Sequence, residues 1–162
     1  MARGTCFYIT DDPNDDGSLF DADCLNETYQ SSDFEYARDL DEAERQKDIE
    51  RLMAKFKEFG ATVEGNTVTF GDSFRTAFFA DRFKKLQELV ASMTIKEFAE
   101  DEPRDECEGT RIYPFSVAQD LMCDNYGDAV WFNDGFFEFD TFIRWHAKGD
   151  KPFYVRSAVY MK

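Results

Sequence analysis

Phenylalanine occupies 18 of the 162 positions, and many of these recur every three or four residues alongside Ile, Leu, Val and Met. That much ring surface cannot stay in water, so the chain must build a core, and intrinsic disorder is excluded. The spacing places much of that core on helices. Ile49, Leu52, Met53, Phe56 and Phe59 share one face of a helix predicted over 41–59. Asp41 followed by Glu44 is a variant capping box at its start. Gly60 suits the position just past its end, where the backbone turns left-handed. Phe79, Phe83, Leu86, Val90 and Met93 mark a second helix reaching Ser92 from about Ser73 or Arg75, with Phe74–Phe79 open to a strand reading. Both stripes read as core, and Trp131 and Trp145 as core or interface anchors. Thr94 with Glu97 caps a short turn of helix.

The rest reads as strands and turns. Cys6–Thr10 predicts a first strand, residues 11–38 mostly loop, and Gly65-Asn66 a hairpin turn between 62–64 and 67–70. Arg111–Tyr113 predicts a strand ended by Pro114, followed by a helix capped by Ser116. Asn133-Asp134-Gly135 between Ala129–Phe132 and Phe136–Phe139 is the strongest hairpin signal in the chain. Asp140 reads as the N-cap of a short helix, and Phe153–Met161 as a last strand. The expected architecture is α+β, a mostly antiparallel sheet with two main helices packed on one face. It forms a single domain over 1–162, with an acidic loop-rich segment (11–40), a helix-hairpin-helix (41–100) and a hairpin-rich end (109–162).

The formal charge is −15, and 11 of those excess charges fall within residues 1–44. A second acidic run spans Glu97–Glu108, opposed by Arg104 alone. Phosphates and anionic membranes would be repelled, so direct nucleic-acid or membrane binding is not expected. A basic protein surface is the expected partner, and a nucleic-acid-binding protein would offer one. The carboxylates expected to dock on it are Asp11, Asp12, Asp15, Asp16, Asp21, Asp23, Asp39, Asp41 and Glu42, with Glu100, Asp101, Glu102, Asp105 and Glu106 in the second run. In its sharpest form the protein is a DNA mimic, an inhibitor of the anti-restriction or anti-CRISPR kind. Roughly 40 Å of duplex carries about 23 phosphates, so mimicry with 15 charges needs both acidic runs on one face.

Residues 12–23 also fit the outline of a calcium loop. Asp12, Asn14 and Asp16 stand at ligand positions one, three and five, Gly17 at the sharp turn, Ser18 at seven and Asp23 at twelve. The loop is similar to those of EF-hands and dockerins over these twelve residues. That resemblance implies calcium as a ligand, although a strand rather than a helix leads in. No other cofactor is expected.

No glycine-rich phosphate loop, nucleophile elbow or His-Glu-x-x-His motif appears, so catalysis is not expected, and an enzyme of unknown class stays the alternative. His146, the single histidine, sits where a helix C-terminus favours it structurally. Cys6, Cys24, Cys107 and Cys123 contain no C-x-x-C spacing, and no signal-like apolar run opens the chain, which reads as reduced thiols in the cytoplasm.

Overall fold

The computed structural model describes residues 4–28, 36–105, 109–123 and 127–162. The chain divides into two compact units, residues 1–77 with 126–162, and residues 78–125.

In the first unit the central strand is the last one, β9 (Phe153–Met161). On one side it pairs antiparallel with β1 (Gly4–Thr10), from Gly4 opposite Met161 to Thr10 opposite Tyr154. Its other side is shared between β2 (Ala37–Asp39), opposite Val159–Met161, and β4 (Thr67–Thr69), opposite Phe153 and Tyr154. Strand β3 (Thr62–Glu64) forms a hairpin with β4, as the Gly65-Asn66 turn predicts. β7 (Ala129–Phe132) pairs with β1 in parallel, the one parallel pair among the described residues, and turns back into β8 (Gly135–Glu138). The sheet thus has seven strands, mostly antiparallel.

The hairpin signal near 133 is correct, but its turn differs. Asn133 and Asp134 both have positive φ (49° and 58°), and Gly135 pairs with Phe132 inside β8. Asn and Asp tolerate the left-handed region, so this is a two-residue turn of type I′ geometry whose glycine belongs to the strand.

The sheet is covered on both faces. On one, Cys6, Ala129, Trp131, Val159 and Met161 pack with Phe20, Ala22 and Leu25. The last two belong to α1 (Ala22–Thr28), a helix in the segment expected to be loop. Its short length hid it from a periodicity argument, as β2's three residues hid that strand. The other face holds the aromatic core. Phe56, on α2 (Glu42–Glu58), meets Phe70, Phe74 and Phe139 at 5.1, 5.7 and 6.2 Å between ring centroids. Phe142, on α6 (Phe139–His146), meets Phe132 at 5.6 Å and Phe153 at 6.3 Å.

α2 carries the predicted caps. Asp41 and Glu44 form the reciprocal capping box, and the Ala61 and Gly60 amides donate to the carbonyls of Phe56 and Lys57. Those two bonds are a Schellman closure, which requires positive φ at Gly60, here 94°. Asp140, expected as the N-cap of α6, is instead fully buried one residue inside it.

The second unit holds most of α3 (Phe74–Ser92), then α4 (Ile95–Ala99), α5 (Pro114–Met122) and a ribbon of β5 (Arg104–Asp105) with β6 (Arg111–Ile112). Phe74–Phe79 is helical. Pro114, rather than Ser116, opens α5, its missing N–H costing nothing in a first turn. The described residues contain six helices, of which α2 and α3 are the longest. The architecture is mixed α and β, consistent with α+β. Among the described residues no helix is long and apolar enough to cross a membrane.

Candidate interaction surface

Of the carboxylates expected to dock, those of residues 11–42 lie in the first unit, and Asp11, Asp12, Asp16, Asp21, Asp23, Asp39, Asp41 and Glu42 are exposed there. Glu100, Asp101 and Glu102 are exposed in the second unit, Asp105 lies on β5, and Glu106 lies outside the described residues.

Several first-unit carboxylates also hold the backbone. Asp21 accepts the amides of Asp23 and Cys24 at the start of α1, and Asp39 accepts that of Ala22 at 2.9 Å. The second bond ties α1 to β2. Asp12 and Asp16 accept the amides of Asn14 and Ser18. Asp15 accepts the Gly17 amide and the Tyr8 hydroxyl. That hydroxyl and amide pull the Asp15 carboxyl below its ordinary range. Burial and the bond to Asp15 push the Tyr8 hydroxyl up, with Asp134 and Asp12 adding to the effect. Asp134 therefore adds, with Asp12 and Asp15, to the negative field at this tyrosine. Sequence reasoning passed over Asp134 because it reads as a turn residue.

The loop is anchored from beneath by an irregularity in the sheet. Between Tyr8 and Ile9 the β1–β9 register shifts, and Arg156 is the unpaired extra residue of a bulge. Its guanidinium donates to the Pro13 carbonyl at 3.1 Å. Gly17 lies against the same residue, with φ +71°, and a Cβ there would stand 2.6 Å from the Arg156 Cβ. Gly17→Ala is expected to cost about 2 kcal/mol, from left-handed strain and the clash together. Urea unfolding measures it, and a loss under about 0.5 kcal/mol would show that the loop is loosely held.

Asp12, Asn14, Asp16 and Ser18 follow the turn and Asp23 lies in the first turn of α1. Among the described residues no three His, Cys, Asp or Glu side chains come together so as to hold a metal.

His146 is half-buried, with the rings of Phe132, Phe137 and Phe142 at 4.9, 5.1 and 5.8 Å. Burial and then Lys148 lower its proton affinity, against Asp11, which raises it. Trp131 is core as expected, whereas Trp145 is largely exposed. Cys6 is buried, which drives its thiol pKa well up, and the cysteines at 6, 24 and 123 are free.

A cleft of about 470 Å³ opens in the first unit between α2 and the ends of β1, β2 and β9. It was not foreseen, because its residues are scattered from Gly4 to Tyr160. Asp128 accepts the Thr5 amide at 2.9 Å and pairs with Arg51 at 2.9 Å. The Thr5 hydroxyl donates to Asp48 at 2.7 Å. Arg38 pairs with Glu44 at 3.1 Å and lies over the Tyr160 ring. The three-residue spacing of Asp48 and Arg51 was the only local signal. Guanidinium and carboxylate groups pair with one another here, and the Thr5 hydroxyl is committed to a carboxylate. The chemistry is that of a latch joining β1, α2 and the start of β7.

In the second unit, Arg104 grips Glu97 through Nε at 2.6 Å and Nη2 at 2.9 Å. That guanidinium, helped by the Thr94 amide, holds the Glu97 carboxyl down at about 2, from an ordinary 4.5. A depressed carboxyl stabilises the folded form fully above its unfolded pKa and loses that contribution as the pH falls through the folded one. Amide-exchange protection of α4 should therefore weaken between about pH 4.5 and pH 2. Glu97→Gln should abolish that pH dependence, and an unchanged profile would show that another group sets it.

No protein family, curated protein or solved structure matches this chain.

Proposed function

We propose that this protein is a non-enzymatic interaction protein whose anionic surface docks on a basic partner, its sharpest form being a DNA-mimic inhibitor of the anti-restriction or anti-CRISPR kind. Both units are negative: residues 78–125 sum to −5 and the remainder to −10. The observation that carries the reading is the anchoring of loop 11–21. Asp11, Asp12, Asp16 and Asp21 are exposed, yet Tyr8, Arg156 and the loop's own turns fix the backbone beneath them. A charge array held in place keeps its pattern without an entropic cost on binding. Reduced thiols and the chemistry of the partner set its working place in the cytoplasm.

Competition tests this. A panel of restriction, CRISPR and repair proteins, each bound to a labelled duplex, is titrated with the full chain. Displacement from at least one member is expected, weakening about tenfold or more between 50 and 200 mM salt. Replacing Asp11, Asp12, Asp16 and Asp23 with Asn should remove it while leaving the melting temperature close to that of the parent. Failure across the panel, or equal displacement by the variant, would overturn the reading.

A further inference from the structure

The cleft between α2 and the ends of β1, β2 and β9 holds more than the latch uses. Its charged lining is Arg38, Lys47 and Arg51 against Glu44, Asp48 and Asp128. That lining sums to zero, in a unit whose whole charge is −10. Charges more than about 8 Å away are largely screened at physiological salt, so the lining sets the local field.

The two signs are not equally spent. Both Glu44 oxygens accept from Arg38, and one also takes the Asp41 amide. The Asp128 oxygens take the Thr5 amide and the Arg51 guanidinium. Asp48 takes the Thr5 hydroxyl on one oxygen, and its other lies 3.6 Å from the Arg51 Nε. Every carboxylate oxygen of the cleft is thus engaged. Asp39 and Asp41, which flank it in sequence, hold the Ala22 and Glu44 amides. The cations keep donors in hand. Lys47 is exposed and makes no hydrogen bond or ion pair among the described residues. Arg38 donates to Glu44 and to the Asp39 carbonyl, which leaves N–H groups of its guanidinium over. The Arg38 and Arg51 side chains are 48% and 49% exposed.

The walls are fixed in advance. Thr5 and the Asp128 side chain are buried, and the Arg38 guanidinium lies over the Tyr160 ring at 5.2 Å. A volume of about 470 Å³ falls in the range of small-molecule sites and exceeds what one inorganic ion fills.

We infer that this cleft binds a small organic anion, its phosphate or carboxylate group on Lys47 and the spare N–H groups of Arg38 and Arg51, its body beside Leu40 and Tyr160. A cationic ligand would find no carboxylate oxygen unclaimed, and a neutral one would leave the Lys47 ammonium without a counter-charge. The site is separate from the acidic loop 11–21 and does not depend on the docking reading.

The probes are phenyl phosphate, benzoate and benzyl alcohol, which share a ring and differ in headgroup. Titration calorimetry with the full chain should give a dissociation constant of about 0.1–1 mM for the better anion, and binding of benzyl alcohol about tenfold weaker or more. Phosphate over benzoate, or the reverse, names the headgroup. Lys47→Met should weaken the anion about tenfold with an unchanged melting temperature, because its side chain holds nothing else. Lys57→Met, exposed on α2 outside the cleft, should leave the affinity as it is. No heat with either anion up to about 5 mM, equal binding of benzyl alcohol, or equal weakening by the two lysine variants overturns the inference.

Discussion

Phe56→Ala is expected to lower the unfolding free energy of the first unit by about 3–5 kcal/mol, and its melting temperature by roughly 10 °C. Phe56 is fully buried and sits at the centre of the aromatic core, its ring edge-on to Phe70 and Phe74 and stacked on Phe139. Those neighbours come from the end of β4, the start of α3 and the start of α6. Each is pinned by its own element, so the cavity left by the ring cannot collapse fully, and both transfer and cavity terms are lost. Phe83→Ala, by contrast, should stay within about 0.5 kcal/mol of the parent, because the ring already meets solvent. Urea unfolding of both variants checks the pair. Equal losses would mean that periodicity rather than burial decides the energetics of these helices.

Asp128→Ala should cost about 2–3 kcal/mol. Its side chain is only 8% exposed, and its two oxygens serve the Thr5 amide and the Arg51 guanidinium. Alanine leaves a buried backbone donor of the first strand without its acceptor and deprives Arg51 of its closest carboxylate. Arg51 is half-exposed and retains Asp48 at 3.6 Å, so the charge itself finds water and a second partner. The larger share of the loss is thus the Thr5 amide. Asp128→Asn keeps an acceptor oxygen for that amide and should lose less than half as much. Denaturant unfolding of the two variants separates the contributions. If Asn proves as harmful as Ala, the ion pair rather than the amide is what the latch depends on.

The elements legible in the sequence share a property: their signals close within about five residues. The capping boxes at Asp41 and Thr94, the Schellman turn at Gly60 and the two hairpins are each specified by residues close together in the sequence. The misses share the opposite property. The parallel pairing of β1 with β7 joins Cys6 to Ala129, and the bulge at Arg156 exists only where β9 meets β1. α1 and β2 are too short to show a period, and are held by bonds such as Asp39 to Ala22 and Asn26 to Ala37. The candidate surface divides in the same way. Which carboxylates carry the charge was legible. That Asp15 is committed to Tyr8 was not.

The amino-acid sequence by itself determined that the chain must bury phenylalanine, that α2 and α4 begin at their capping boxes, and that its charge is concentrated near the front. These follow from composition and from contacts between near neighbours. Only the tertiary structure decided which apolar stripe became core. The stripes on α2 and α3 have similar spacing, and spacing places residues on a common face without saying what, if anything, lies opposite. α2 met a sheet assembled from strands more than a hundred residues apart, whereas the Phe83–Val90 face of α3 met water.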